Sequence, residues 1–211
     1  MTLAPMSPVA TQPAFPRTTP VREYVAGGKI KGGLLRAHLR WAREHADAET
    51  FRAILDALPP KRVEELSTTI FATSWYPLQW LVDFDRAVLA TIGNAGHSVL
   101  HSAGRFSANA TLRQIHSSLL RDDPHSFLRH VALLQSHFTD FGSSTWERLG
   151  TSFGRVTHRY WRCFSPLLCE SAIGFYEEAA RMAGGTGVTV EETSCQCRGD
   201  KHCAFLVRWR G

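Results

Sequence analysis

The sequence predicts an α+β fold in which a helical N-terminal two-thirds packs on a small antiparallel sheet. Three observations carry this. Apolar residues recur at helical spacing from Gly33 to Phe138, while β-branched and aromatic residues flank turn signals after Ser144. The elements run helices, hairpin, helix, hairpin, an order that gives an antiparallel sheet covered on one face by helices. At 211 residues the chain buries a full core and is nearest to one domain, taken as 21–211, with a helical part to about 140 and a second part over about 141–211. Residues 1–20, rich in proline and without a basic start, read as a disordered tail.

Taken in order, Val21 to Ile30 alternates like a short strand. Gly32-Gly33 then opens GLLRAHLRWAREH, whose Leu34, Leu35, Leu39 and Trp41 predict a helix to about His45. Phe51, Ile54, Leu55 and Leu58 predict a second helix, stopped by Pro59-Pro60, and a third short one runs through Val63 and Leu66. Trp75-Tyr76-Pro77 reads as an aromatic turn ahead of a long helix carrying Leu78, Leu81, Val82, Phe84 and Val88. Further helical patterns cover Val99 to Gly104, Ala108 to Leu120 and Ser126 to Phe138, with Pro124 suited to a helix start. From Ser144, STWERLGTSFGRVTHRYWRCF predicts a hairpin turning at Ser-Phe-Gly. A helix from about Pro166 to Met182 ends at Gly184-Gly185, and strands over Val188 to Thr193 and Ala204 to Trp209 flank the Arg198-Gly199-Asp200 turn.

Composition narrows the function. A 44% hydrophobic, 20% charged chain is a globular protein, and no apolar run approaches the ~20 residues needed to span a bilayer. A cytoplasmic protein without a membrane span is expected. The formal charge of +5 permits nucleic-acid binding, but the arginines are scattered, and the nearest cluster (Arg155, Arg159 and Arg162) is interrupted by aromatic and apolar residues. No nucleic-acid partner is expected. Ten histidines are scattered, and His116, His125, His130 and His137 fall on helical segments with no carboxylate or serine partner at catalytic spacing, so the chain is not expected to be an enzyme.

All five cysteines fall at or after Cys163. An odd count in a chain without an export signal points to reduced thiols that bind metal or pack in the core. Glu192, Cys195 and Cys203 stand as E-x2-C-x7-C across the last hairpin, and Cys169 lies in the first turns of the preceding helix, where unpaired amides favour a thiolate. Three thiolates and a carboxylate bind zinc in a closed, structural site. The C-terminal strand-helix-hairpin therefore reads as a zinc-binding element. Cys197 is an alternate to Cys195, because strand alternation puts both on one face; Cys163 reads as a core residue.

The run VEETSCQCRGDKHCAFLV resembles the C-terminal signature of the 4-vinyl reductase domain family. That superfamily includes effector-sensing domains of enhancer-binding regulators, and shares its fold with vesicle-tethering subunits and haem nitric-oxide sensors. The resemblance implies a stand-alone bacterial member of this nitric-oxide-signalling and Golgi-transport ligand-binding fold, with zinc on Cys169, Glu192, Cys195 and Cys203, and it makes a homodimer plausible. No tyrosine of the chain begins the Tyr-x-Ser-x-Arg clamp of the haem sensors, so no haem is expected.

In such a fold a pocket lies between sheet and helices. Ile173 and Tyr176 share the Cys169 face of their helix, and Tyr160, Trp146, Trp75 and Tyr76 are further candidates for lining it. The expected function is a zinc-stabilised sensory or ligand-binding module for a small hydrophobic molecule, signalling through a dimer or protein partner. The alternatives are a ligand-free interaction scaffold and a tetrapyrrole-related reductase or accessory protein.

Overall fold

A computed structural model describes residues 21–92, 98–116 and 123–210. The expected tail, Leu120 and Asp122 lie outside the described residues. Strand β1 (Lys29–Lys31) leads into α1 (Gly32–His45), followed by α2 (Ala48–Asp56), α3 (Pro60–Ser67), strand β2 (Trp75–Pro77) and α4 (Leu78–Ile92). Next come α5 (Ser98–His116), α6 (Pro124–Leu133), the single turn α7 (Gln135–Phe138), and the hairpin of β3 (Gly142–Arg148) and β4 (Phe153–Tyr160). The chain continues through α8 (Pro166–Met182), β5 (Thr186–Ser194), a 3-10 turn over Gln196–Arg198, and β6 (Cys203–Arg210). The expected mixed α+β class is what the structure has.

Local chemistry sets the boundaries. Asp47 caps α2 by accepting from the Thr50 amide at 2.7 Å, and Ser165 caps α8 at Leu167 with Pro166 in the first helical position. Five expectations shift. The Val21 to Ile30 strand is reduced to Lys29–Lys31 with an isolated bridge at Tyr24, and the Ser126 to Phe138 helix divides into α6 and α7. Trp75-Tyr76-Pro77 is a strand rather than a turn, paired antiparallel with Lys29–Lys31. The two helical stretches expected within 99–120 form one continuous α5. The first hairpin turns at 149–152, one step before the expected Ser-Phe-Gly, because the Leu149 and Gly150 amides both reach the Phe153 carbonyl and close the loop there.

The four-stranded antiparallel sheet has the order β3-β4-β6-β5. Alternation turns Val156 and His158 of β4, and Cys203, Phe205, Val207 and Trp209 of β6, onto the face covered by α8 and α6. Packing divides into two apolar clusters. One joins α1 and α4 with Ile30, Phe141 and Cys163; the other joins α6, α8 and the sheet. Helices α5 and α8 tie them together at backbone contact: a methyl group on Gly104 would overlap the Ser171 carbonyl, and one on Gly174 the His101 carbonyl.

Candidate functional site

At the seam between the two clusters lies a cavity of about 120 Å³, walled by Leu34 and Leu81 of the helical layer, Phe141 of the strand β3 approach, and Phe175 and Ala172 of α8. Its polar wall comes from β4. His158 faces inward because it follows Val156 at strand period, and it is 5% exposed. Its Nδ1 lies 2.5 Å from Gln135 Oε1 and 2.6 Å from Ser144 Oγ, and its Nε2 lies 2.8 Å from the Tyr176 hydroxyl. Burial pushes the imidazole pKa down to about 3, so it is neutral at pH 7. The Gln135 carbonyl oxygen only accepts, which assigns the one ring proton to Nδ1 and makes Tyr176 the donor to Nε2. Burial also pushes the hydroxyls of Tyr176 and Tyr160 well above the usual tyrosine range. On the opposite wall His38 Nδ1 holds Asp85 Oδ1 at 2.8 Å, and Ser171 Oγ is 3.4 Å from His38 Nε2.

The thiol cluster adjoins this wall, because Cys203 is the direct cross-strand partner of His158. Cys169 of α8 lies with its sulfur 3.7 Å from Cys195 Sγ and 3.6 Å from Cys203 Sγ. With a carboxylate oxygen of Glu192, all four ligand atoms lie within 4.8 Å of one another. Gly199, at φ +102°, turns the chain back so that the Asp200 carboxylate accepts from the Cys195 amide at 2.7 Å and the Gln196 amide donates to Cys203 Sγ at 3.3 Å. One oxygen of Glu192 takes Arg198 at 2.8 Å, while Oε1 is buried with no hydrogen-bond partner among the described residues. Burial first, and then the charge of Cys195, pushes the Glu192 carboxyl up to about 7. Hydrogen bonds from Cys169 and its neighbours favour the Cys195 thiolate, and donating to Cys195 pushes Cys169 well up. Cys197 is buried against the same cluster but outside the four-atom group. Thiolates bound about 2.3 Å from one tetrahedral ion sit ~3.8 Å apart, close to the spacing found here.

Of the six residues expected to line a pocket, Tyr160 and Tyr176 do so. The other four lie elsewhere. Trp75 is 41% exposed beneath the Lys31 ammonium, and Tyr76 accepts from the Phe71 amide at 2.9 Å. Trp146 packs on His125 and Trp209, and Ile173 packs into the second cluster. Sequence reasoning missed His158, Gln135, Ser107, and the His38–Asp85 pair. The signal for His158 was present: an inward strand position facing Cys203.

No protein-family model matches the sequence, and no curated protein matches it. Solved structures do. The H-NOX protein from S. oneidensis in the Fe(II)NO ligation state has a TM-score of 0.66 and 16% identity, covering 86% of this chain and 100% of that one. The Fe(II) unliganded H-NOX protein from K. algicida gives 0.64 and 10%, covering 86% and 97%. An oxygen-binding H-NOX domain related to soluble guanylate cyclases gives 0.60 and 11%, covering 86% and 96%. Likeness at this identity shows the fold.

Two expectations are corrected. The 4-vinyl reductase resemblance rested on one C-terminal hairpin, whereas the architecture over 86% of the chain aligns with H-NOX structures. The expectation of no haem is overturned by the same finding: the similar structures are haem domains, and one absent motif was too local a ground for exclusion. None of these comparisons supports a zinc element, so metal binding here rests on the cluster's own geometry.

The cavity groups, as arranged, do not fit a porphyrin. Sites for ligands of even drug size occupy about 300–1,000 Å³, against about 120 Å³ here. Both nitrogens of His158 are engaged, His38 is held by Asp85, and His101 Nε2 is 3.0 Å from Glu170 Oε2.

Proposed function

We propose that this chain is a sensory domain that takes a small apolar molecule into the cavity between α8, α5 and the sheet, and signals by changing a dimer or partner contact. The observation that carries the reading is the cavity itself, an apolar space at the seam of two packed clusters with one neutral polar wall. Apolar cavities near 150 Å³ hold a single benzene-sized molecule or xenon, and the similar H-NOX structures are recorded with NO and oxygen complexes.

The domain is proposed to be non-catalytic. His158, with its pKa near 3, is a poor general base at neutral pH, and both of its nitrogens are occupied. We further propose that Cys169, Glu192, Cys195 and Cys203 hold a metal ion, zinc by donor chemistry, which clamps the β5–β6 hairpin to α8 beside the cavity wall. Such a clamp would hold the β4–β6 wall of the cavity as a stiff frame around a bound ligand. Among the described residues, no helix is long and apolar enough to cross a membrane.

Calorimetric titration with cyclopentane tests the cavity reading. The wild-type chain is expected to bind one equivalent, and Ala172→Phe, which places a ring in the cavity, to abolish binding while keeping the native circular dichroism spectrum. Equal binding by both proteins, or none by either, rejects the reading and leaves a ligand-free scaffold.

A further inference from the structure

One hydroxyl in the cavity wall stands apart from the rest. Ser107, on α5, lines the cavity and is 1% exposed, yet its Oγ has no hydrogen-bond partner among the described residues. Other hydroxyls of the lining are engaged: Tyr176 by His158, Ser171 by His38, and Thr139 by the Gln135 carbonyl. A buried hydroxyl without a partner is costly, and native proteins retain few of them unless a ligand or water completes the bond. A serine within a helix commonly turns back to the carbonyl four residues earlier, as Thr111 does at 2.7 Å to the Ser107 carbonyl; the Ser107 hydroxyl makes no such bond.

The charge of the surroundings narrows the ligand class. Among the described residues no lysine, arginine, aspartate or glutamate lines the cavity; Asp85, behind its wall, is held by His38 through Oδ1, while its Oδ2 is buried without a partner among the described residues. An ionised ligand would be buried without a counter-charge, which excludes carboxylates and amines in their charged forms. The remaining chemistry is a neutral, mainly apolar molecule with one oxygen to meet one hydroxyl.

We propose that Ser107 is the polar anchor of the cavity and selects a neutral, mainly apolar ligand carrying a single hydroxyl or carbonyl oxygen. This deepens the ligand-binding reading above and rests on it. The remaining wall then serves as an apolar enclosure, and the Tyr176–His158–Gln135 chain as a fixed boundary that the ligand does not need to break.

The test compares cyclopentanol and cyclopentane on wild-type and Ser107→Ala protein by calorimetric titration. A net neutral hydrogen bond corresponds to roughly three- to tenfold in affinity. Ser107→Ala is therefore expected to weaken cyclopentanol by about that factor while leaving cyclopentane unchanged. Because the wild-type hydroxyl has no protein partner, the variant is also expected to fold and to melt no lower than wild type. If cyclopentane binds but the variant treats both probes as wild type does, or if cyclopentanol fails to bind, the anchor is refuted and the apolar-cavity reading stands. If neither probe binds wild type, the cavity reading fails and the anchor with it.

Discussion

Replacing His158 with glutamine changes how stability depends on pH, by an amount that follows from the imidazole's burial. In the folded chain its pKa is about 3, against about 6.5 when unfolded. The unfolded state therefore binds the extra proton first. The stability associated with the neutral ring is fully present above about pH 6.5 and is lost as pH falls toward about 3, at up to ~1.4 kcal/mol per unit. Between about pH 6.5 and about pH 5 the loss integrates to about 1.5 kcal/mol. A glutamine side chain does not titrate, so His158→Gln escapes this loss, although at neutral pH it is destabilised by about 1–3 kcal/mol through the disturbed network with Ser144 and Tyr176.

Urea denaturation followed by tryptophan fluorescence at both pH values measures the gap between the two proteins. The gap is expected to close by about 1.5 kcal/mol at the lower pH. Other titrations cancel in the comparison, including that of Glu192. Its raised carboxyl, near 7 when folded, works in the opposite direction in the metal-free chain, giving stability present at low pH and lost as pH rises through about 7. A gap that is constant or widens as pH falls would refute a buried neutral His158.

Two further outcomes follow from packing and from the thiol cluster. Gly174→Ala forces a methyl group into the His101 carbonyl at the α5–α8 crossing, and is expected to cost about 1–3 kcal/mol or more despite alanine's better helix propensity, read by urea denaturation; an unchanged midpoint would mean that the helices do not meet at backbone contact. Cys203→Ser is expected to lower the zinc content of purified protein from one per chain to well below one and to remove the effect of a chelator on melting, measured by elemental analysis and calorimetry; a wild-type chain that carries no metal and ignores chelator would leave these thiols as core residues.

Much of the fold was legible because most elements announce themselves locally. Helices α1 to α4 and α8 show apolar spacing, a proline start or a glycine stop, and the sheet strands show alternation ending at turn residues. What escaped depends on distant pairing. Trp75-Tyr76-Pro77 becomes a strand only because Lys29–Lys31, more than forty residues earlier, lies beside it. Nothing in its own composition separates that outcome from a turn.

The site divides in the same way. Cys195 and Cys203 could be brought together on paper by the Gly199 turn, and Cys169 by its place early in α8, since a thiol cluster needs an unusual residue type at a few positions. The polar groups of the cavity wall needed ordinary residues from five elements. Ser107 on α5, Gln135 on α7, His158 on β4, and Tyr176 on α8 meet His38 of α1 only after the two apolar clusters have packed. Trp75, Tyr76, Trp146 and Ile173 were reasonable aromatic and apolar candidates by type, but side-chain type does not tell which face of a packed layer borders a void. The haem exclusion erred similarly, by reading one short motif where the fold as a whole carried the relation to H-NOX structures.

The most direct test of an interior ligand cavity is a crystal structure determined under xenon pressure. The account predicts xenon density between Leu81, Phe141 and Phe175, with the Tyr176–His158 hydrogen bond intact. A xenon-free space there, while xenon fills other apolar sites in the same crystal, or a space closed by side chains, would contradict it.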